Sequence, residues 1–350
     1  MATDTPSADA LLVEPSLLSP RRRMLATLVR SREVSILAVL VLVIAVATAR
    51  NSGFLFSAGG WRDLLLTPAM LLLLAVGQAV VIITRNVDLS VGSILGLTAY
   101  LTGRLSIDHP GLPVVALFLA GLAAGAVIGL LNGVLVAWGR VPALVITLGT
   151  LYIWRGVVLT WAGSNRINAS DLDLGLLSLG TRQVLTVPVL FLLALLVLVA
   201  AGYYLYTTRS GRELYAVGSD PDAAVLYGLN VNRRVIGAFV LSGALAGLAG
   251  VVFAARYGTV SSDAGTGIEL QAVAAAVIGG VAIFGGSGTV WGAALGAVLL
   301  VTINRALPMV GIPDFWQQAL VGVLILGAIV LDRVLSIRNS RRLIEARDES

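Results

Sequence analysis

The chain lacks both cysteine and lysine: the cysteine count is 0, and each of the 24 basic residues is an arginine. Without lysine, it cannot form the phosphate-binding loop that ends in Gly-Lys-Ser/Thr, so if ATP drives this protein another chain must hydrolyse it. Thiol nucleophiles and cysteine-bound zinc are excluded as well. The single histidine, His109, leaves no basis for a histidine zinc site or a Ser-His-Asp triad.

Charged residues are also scarce. Only 12% of the 350 residues are charged, 57% are hydrophobic, and the mean hydropathy is +0.93. A soluble domain carries about 25% charged residues, so this composition indicates a polytopic membrane protein. The isoelectric point near 10 would suggest nucleic-acid binding in a soluble protein. In this chain it indicates arginines at the cytoplasmic face of a membrane, and no nucleic-acid partner is expected.

The apolar runs predict an all-α fold with about ten transmembrane helices, each near the roughly 17–25 residues that a bilayer requires. The predicted spans are 34–49, 63–83, 89–104, 113–137, 142–162, 184–206, 235–256, 268–284, 289–307 and 314–331. We expect the first span to be retained rather than cleaved as a signal peptide, because a long leader precedes it and many spans follow.

The arginines predict the orientation of the chain. If the chain starts inside, the arginines that fall on the outer side are Arg50, Arg62, Arg104, Arg155, Arg166, Arg182, Arg256 and Arg305. The larger remainder then lies inside, and an excess of arginine marks the cytoplasmic side of a membrane protein. We therefore predict cytoplasmic tails at residues 1–33 and 334–350, which flank a transmembrane domain at 34–333.

One polar stretch interrupts the apolar pattern. Residues 84–93 read T-R-N-V-D-L-S-V-G-S and separate the apolar runs Leu64–Ile83 and Ile94–Gly103. Charged and amide side chains are costly in hydrocarbon, so such a break is expected only inside protein, at the interface or along a watery cavity. Asp88 is predicted to cap the helix that begins here, although it also qualifies as a pathway residue.

The chain contains a weak internal repeat. At an offset of 171 residues, without gaps, the aligned pairs are Arg85 and Arg256, Ser90 and Ser261, Gly96 and Gly267, Gly121 and Gly292, Gly125 and Gly296, and Pro142 and Pro313. Spans two to five run opposite to spans seven to ten, so we expect a five-plus-five inverted repeat with the pathway between the halves. The glycines at 121, 125, 129 and 133 share one helix face, which favours close helix packing.

Residues 207–234 form the one long polar segment between spans on the inner side. Asp220 is suited to cap a helix, Pro221 to its first position, and Gly228 to the position just past its end. A helix of about two turns is unstable alone in water, so it is either a connector or a docking element for a soluble partner such as an ATPase. Its apolar docking face is predicted at 223–226.

Four stretches resemble the permease subunits of bacterial sugar ABC importers, the ribose, xylose, rhamnose and autoinducer-2 group. They are TRNVDLSVGSI at 84–94, LNGVLVAW with VPALVITLGTL and RG at 131–156, GRELYAVG at 211–218, and GTGIELQAVAAAVIGG with GGSGT at 265–289. The opening T-R-N is most similar to the autoinducer-2 and rhamnose permeases, because ribose-type permeases more often have glycines there.

The resemblance implies a ten-helix subunit in the bacterial inner membrane that forms the path for a sugar or sugar-like solute. It implies three protein partners: an ATPase with two cassettes, which holds ATP and magnesium, a second permease copy or paralogue, and a periplasmic or lipid-anchored sugar-binding protein. This chain itself is expected to hold no cofactor or metal and to have no catalytic residue. The pathway candidates, with two asparagines near the glycine ridges included, are Asn86, Asp88, Ser90, Asn132 and Asn304. The candidates for ATPase coupling are Gly211, Arg212, Tyr215, Gly218, Asp220, Ala223, Ala224 and Gly228.

Three alternatives to a sugar importer are open, two of them argued from the residues and the third within the family that the chain resembles. An ion-coupled secondary carrier would also have inverted repeats, and it would need a buried carboxylate, for which Asp88 and Glu269 are the candidates near spans. An intramembrane enzyme would need a His, Cys or paired-carboxylate constellation, which the sequence lacks. A branched-chain amino-acid ABC permease is the nearest rival, and the motif at 84–94 argues against it.

Overall fold

The computed structural model describes residues 32–139, 141–163, 165–313, 316–324, 326–327 and 330. The predicted tail at 334–350, nearly all of the tail at 1–33, and part of the predicted span 314–331 lie outside these residues.

The described chain is almost entirely helical. Its helices are α1 (Arg32–Arg50), α2 (Gly53–Phe56), α3 (Ala58–Leu66), α4 (Pro68–Ile83), α5 (Val91–Asp108), α6 (Val114–Gly139), α7 (Ala143–Ala162), α8 (Leu174–Thr181), α9 (Val189–Thr207), α10 (Arg209–Ser219), α11 (Pro221–Leu226), α12 (Val231–Tyr257), α13 (Ile268–Ile278) and α14 (Val290–Ala306). Short 3₁₀ turns lie at Ala169–Asp171 and Leu307–Val310, and residues 316–324 are again helical. Between α8 and α9, β1 (Gln183–Val184) and β2 (Val187–Pro188) form a small antiparallel hairpin.

Seven helical segments are long and apolar enough to cross a bilayer. They are Glu33–Arg50, Ala58–Ile83, Val114–Gly139, Ala143–Ala162, Val189–Thr207, Val231–Tyr257 and Val290–Val310. The predicted fold class, an all-α polytopic membrane protein, is therefore confirmed.

Two predicted spans differ from the helices found. Helix α5 is not among the seven apolar segments, and α13 has only 11 residues. At 1.5 Å per residue, α13 is about 16 Å long, roughly half the thickness of the hydrocarbon layer. The predicted span 268–284 is therefore too long, because the chain turns at Gly279 and at Gly280, which has φ 91°.

Contacts between loops define two ends of the helix bundle. At one end, the guanidinium of Arg256, near the end of α12, donates to the Thr67 hydroxyl just before α4 (2.8 Å). At the other end, the Tyr215 hydroxyl on α10 donates to the Gly288 carbonyl (3.0 Å). Following the predicted topology, we call these the outer end and the inner end. The two segments in contact at each end were predicted to lie on the same side of the membrane. The packing therefore agrees with the predicted alternation of the spans.

The helices repeat at the offset found in the sequence. Shifted by 171 residues, α4 falls on α12, α5 on α13, and α6 on α14. The halves interlock, since α12 packs along α4, α5 and α6, while α14 packs along α4 and α13. Helices α4 and α12 are antiparallel, because Thr67 before α4 contacts Arg256 near the end of α12. The helix arrangement therefore matches the predicted inverted repeat.

Glycines allow close backbone contact between α6 and α12. A methyl group on Gly125 would overlap the Gly243 carbonyl oxygen, and one on Gly129 would overlap the Phe239 carbonyl oxygen. The two backbones therefore touch, which maximises dispersion contact where no hydrophobic effect drives helices together. The packing role predicted for this glycine face is confirmed. Helix α4 lies at the centre of the core, with every residue except Met70 buried.

Candidate functional site

The chain between α4 and α5 is a tight break whose helix start differs from the prediction. Helix α4 ends at Ile83, and Arg85 adopts a left-handed conformation with φ 64°. The N-cap of α5 is Ser90, two positions after the predicted cap at Asp88. Asp88 instead accepts the Ser90 backbone N–H at 3.0 Å, which forms an Asx turn ahead of the helix. The predicted cap is therefore wrong by two residues.

Asp88 lies at the centre of a buried hydrogen-bond network. Its carboxylate accepts the hydroxyls of Ser90 (2.6 Å) and of Ser242 on α12 (3.0 Å). Asn132 on α6 donates its amide to the Ser90 hydroxyl (2.8 Å). With its amide oriented to suit, Gln78 on α4 donates to the Asp88 carbonyl (3.1 Å) and accepts the Asp88 N–H (3.2 Å). All five residues are at most 1% exposed, so the network joins α4, α5, α6 and α12.

The network holds the Asp88 carboxylate without an ion pair among the described residues. Three donors reach it: the Ser90 N–H, the Ser90 hydroxyl and the Ser242 hydroxyl. Hydrogen bonds of this kind offset the cost of burying a polar group, and each donor would lose its partner if the carboxylate were removed. The carboxylate is 0% exposed in this conformation. An ion or solute would reach it only after the surrounding helices separate.

Two of the predicted pathway residues lie apart from this network. Asn86 donates its amide to the Thr84 carbonyl (2.8 Å) and so closes the turn after α4. Asn304, near the end of α14, accepts the Gln317 amide through its backbone carbonyl (3.4 Å). The structure thus brings together Asp88, Ser90 and Asn132 and leaves the other two separate. A pathway role for these residues stays a prediction.

Sequence reasoning missed two members of the network, Gln78 and Ser242. Gln78 was detectable, because it is the only amide side chain within the apolar run Leu64–Ile83. Ser242 lies in the small-residue segment S-G-A-L-A-G-L-A-G, where a serine is compatible with helix packing alone. Only the three-dimensional contact with Asp88 distinguishes it.

The inner loop 207–234 folds into two short helices. Asp220 caps α11 by accepting the N–H groups of Asp222 and Ala223, both at 3.0 Å. Pro221 is the first residue of α11, and Gly228 follows its end with φ 78°. The predicted cap, first residue and terminating glycine are therefore confirmed. Helix α10, which precedes α11, was not predicted.

Helix α10 is fixed to its neighbours by polar contacts. Glu213 accepts a hydrogen bond from Arg209 (2.9 Å) and pairs with Arg234 at the start of α12. Burial disfavours its charged form, but the two arginines outweigh that effect and hold the pKa of Glu213 below its usual value. Burial raises the pKa of Tyr215, so its hydroxyl remains a donor to Gly288. Arg212 donates to the nearby Thr207 carbonyl (2.8 Å).

Two glycines of α10 lie where side chains would not fit. A methyl group on Gly211 would overlap the Tyr204 carbonyl oxygen, and one on Gly218 would overlap the Ile83 carbonyl oxygen at the end of α4. Both glycines, which were predicted to belong to the coupling loop, therefore set how closely α10 packs against α9 and α4.

The exposed apolar face of α11 differs from the predicted one. Ala224 is only 4% exposed and packs inward. Val225, Leu226 and Tyr227 are 59%, 87% and 86% exposed. The predicted face at 223–226 is therefore corrected to 225–227, because the short helix turns Ala224 toward the rest of the molecule.

Arg85 joins the α4–α5 break to the end of α10. Its guanidinium donates to the carbonyls of Gly218 (2.6 Å) and Ser219. The Gly286 N–H donates to the Ile83 carbonyl at the end of α4 (2.9 Å). Three segments therefore meet at the inner end of α4: the break, the end of α10, and the loop 285–288.

The model of a known protein family matches the part of the chain that contains the Asp88 network and the inner loop. A family model described as branched-chain amino acid transport system / permease component matches residues 62–329. The chain belongs to this permease family. Both the Asp88 network and the loop 207–234 of this permease lie within the matched residues.

The permease is also similar to individual curated proteins along most of its length. The autoinducer 2 import system permease protein LsrC of Enterobacter sp. (strain 638) is 40% identical over 307 residues, which is 87% of this chain and 88% of the relative. The protein of the same name from Salmonella typhi is 38% identical over 322 residues, 91% of each chain. That of Klebsiella pneumoniae is 40% identical over 306 residues, 87% of this chain and 88% of the relative. No solved structure matches the permease significantly.

Proposed function

We propose that this chain is the membrane-spanning permease subunit of an ATP-binding-cassette importer for a sugar-like solute, with autoinducer 2 as the first candidate. The observation that carries the proposal is similarity over the whole permease: relatives named for autoinducer 2 import are 38% identical over 91% of both chains. The motif at 84–94, with its T-R-N opening, supports the same assignment.

The proposed importer needs partners, because this chain has no lysine for a phosphate-binding loop. ATP would be hydrolysed by a separate ATPase, which docks at the exposed face 225–227 of α11. A sugar-binding protein would deliver the solute to the outer end, and a second permease copy or paralogue would complete the path. No enzymatic activity is proposed for this chain itself.

The inner end is proposed to face the cytoplasm, with both termini on that side. The excess of arginines at the inner side supports this orientation. Reporter fusions at residue 340 and within 163–183 test it, and periplasmic reporter activity at 340 would contradict it.

We propose the outer part of the solute path at a pocket between α13 and the helical residues 316–324. The pocket has a volume of about 430 Å³ and includes Thr266, Gln271, Gln317 and Gln318 in its lining. That volume falls within the usual range of small-molecule sites, and glutamine amides both donate to and accept from hydroxyl groups. Gly265, the residue before Thr266, packs against Gly92 in the first turn of α5, the helix that follows the break.

Uptake by cells separates this proposal from the amino-acid alternative that the family description suggests. A strain that expresses the complete importer should deplete autoinducer 2 from its medium, and deletion of this chain should abolish the depletion without changing leucine uptake. Loss of leucine uptake with unchanged depletion of autoinducer 2 would favour the branched-chain amino-acid permease.

A further inference from the structure

Arg85 combines an unusual backbone conformation with a contact to a distant helix. Outside the hairpin turn at Leu185 and Thr186, it is the only non-glycine residue with positive φ among the residues that the structure describes. A left-handed conformation is disfavoured for arginine and persists where the surroundings fix it. Here the Arg85 N–H donates to the Ile82 carbonyl (2.9 Å), and its guanidinium contacts α10.

The guanidinium binds the end of α10 at two points. Its Nε donates to the Gly218 carbonyl (2.6 Å) and its Nη2 to the Ser219 carbonyl. Carbonyls in the last turn of a helix lack partners within the helix and carry the negative end of its dipole, so a cation with two donors suits them. These bonds span 133 and 134 positions of sequence, so the contact joins separate parts of the fold.

The contact is also enclosed by close backbone packing. A methyl group on Gly218 would overlap the Ile83 carbonyl oxygen, and one on Gly285 would overlap the Arg85 side chain. Gly286 donates its N–H to the same Ile83 carbonyl (2.9 Å). The end of α10 therefore has little room to slide against the end of α4.

A continuous set of contacts leads from the proposed docking face to the buried network. Helix α11 follows α10 directly through its cap Asp220, so the face 225–227 is tied to the end of α10 that Arg85 holds. Arg85 in turn lies three residues before Asp88, whose carboxylate binds Ser90 and Ser242. Packed elements of this kind carry coupling when they move as one body.

We propose that Arg85 is a positioning residue that transmits movement of α10 and α11 to the α4–α5 break, and so couples the ATPase to the helices around Asp88. The inference rests on the proposed function as an ATP-driven importer. It assigns Arg85 to coupling rather than to the solute path or to ATPase binding.

The test uses the complete importer in proteoliposomes, with autoinducer 2 as the transported probe. The variants are Arg85→Gln, which removes the charge, and Arg85→Lys, which keeps it but lacks the planar fork. Arg104→Gln is the matched control, because Arg104 is an exposed arginine that bonds Asp108 on its own helix α5. The readouts are the recovered complex, the ATP hydrolysis rate, and the number of solute molecules imported per ATP hydrolysed.

We expect Arg85→Gln to retain the ATPase and to hydrolyse ATP while solute import per ATP falls at least fivefold. The import per ATP of Arg85→Lys should lie between those of Arg85→Gln and the unaltered chain. Arg104→Gln should match the unaltered chain. Unchanged import per ATP in Arg85→Gln would make the contact merely structural and overturn the proposal. Loss of the ATPase from Arg85→Gln, with the control intact, would make the exposed Arg85 a docking residue and also overturn it.

A second measurement applies even if Arg85→Gln does not fold. The chain has no native cysteine, so Asp222→Cys on α11 and Leu89→Cys in the break can be spin-labelled without background from this chain, before it is assembled with its partners. With Arg85 in place, the distance between the labels should stay the same in the ATP-free and nucleotide-trapped importer, and Arg85→Lys should broaden its distribution. A distance that changes between the two states would overturn the proposal.

The unaltered importer distinguishes this inference from the function on which it rests. If it imports no probe with ATP, both the proposed function and the inference are rejected. If it imports the probe and Arg85→Gln does so with the same yield per ATP, only the inference is rejected.

Discussion

The Ser242 hydroxyl on α12 donates a 3.0 Å hydrogen bond to the carboxylate of Asp88, 154 positions earlier in the sequence. This bond joins the two halves of the inverted repeat at the point where the first half is broken. With Ser90, it gives the buried carboxylate three donors and no ion pair among the described residues. Asp88 therefore acts as an acceptor that positions α5 and α12, which leads to a specific prediction.

Asp88→Ala should destabilise the chain and impair transport more than Asp88→Asn. Alanine leaves three buried donors without an acceptor, at a cost of about 1–3 kcal/mol for each. Asparagine keeps one oxygen for the Ser90 bonds, and its amide is able to donate to the Ser242 hydroxyl. Thermal unfolding of the purified chain and uptake in the importer check the order. If Asp88→Asn impairs uptake as much as Asp88→Ala while its unfolding temperature is unchanged, the charge itself is needed. That result would favour an ion-coupled carrier.

Gly125→Ala should destabilise the bundle, because the new methyl group would overlap the Gly243 carbonyl oxygen on α12. Overpacking of this kind costs about 1–3 kcal/mol. Gly149→Ala on α7 is the matched control, since a methyl group there meets no atom within 4 Å and alanine favours the helix. The two unfolding temperatures in detergent should therefore move in opposite directions. An equal effect of both changes would contradict the packing role of the α6–α12 face.

Glu213→Gln should destabilise α10 at neutral pH and have no effect in acid. The pKa of Glu213 is lowered in the folded chain, so its pairing stabilises the fold above the usual glutamate pKa of about 4.3 and is lost as the pH falls through the lower folded-state value. The difference in unfolding temperature between the unaltered chain and Glu213→Gln should be constant from about pH 7 to 5, shrink as the pH falls below the usual glutamate pKa of about 4.3, and vanish below the lower folded-state pKa. Asp222→Asn, at an exposed carboxylate on α11, controls for general acid effects. A difference that does not shrink as the pH falls below about 4.3 and through the acid range would contradict the ion-pair account.

Leu226→Asp should weaken retention of the ATPase, because Leu226 is 87% exposed on the proposed docking face. A hot-spot anchor at an interface is worth about 2 kcal/mol, so the affinity for the ATPase should fall by about thirtyfold, and co-purification should fall with it. Leu185→Asp, at a 91% exposed leucine in the outer hairpin, should leave retention unchanged. Equal retention by both variants would reduce α11 to a connector.

Local chemistry made part of the inner loop predictable. Helix α11 could be predicted from the sequence alone, because its signals lie within a few residues of each other. They are the cap Asp220, the proline at the first position and the glycine after the end. Helix α10 could not be predicted in this way, because Gly211 and Gly218 lower helix propensity. Both glycines are needed because α10 packs closely against α9 at Gly211 and against α4 at Gly218. That packing is a feature of the tertiary structure, which the local sequence does not show.

The difference between local signals and tertiary packing also explains which parts of the candidate site could be predicted. The break at 84–90 was evident from polar residues within an apolar region, and the inverted repeat from glycines at a constant offset. The partners of Asp88 were not evident, because Gln78 and Ser242 reach it through the packing of α4 and α12. The early end of α13 was missed because apolar residues continue past Gly279 and Gly280, and hydropathy does not register a turn.

The most direct test of the proposed function is uptake of autoinducer 2 into proteoliposomes that contain the complete importer and its binding protein. The account predicts that uptake requires ATP on the ATPase side and continues after ionophores have dissipated proton and sodium gradients. Uptake that is driven by either gradient without ATP, or that persists without this chain, would contradict it.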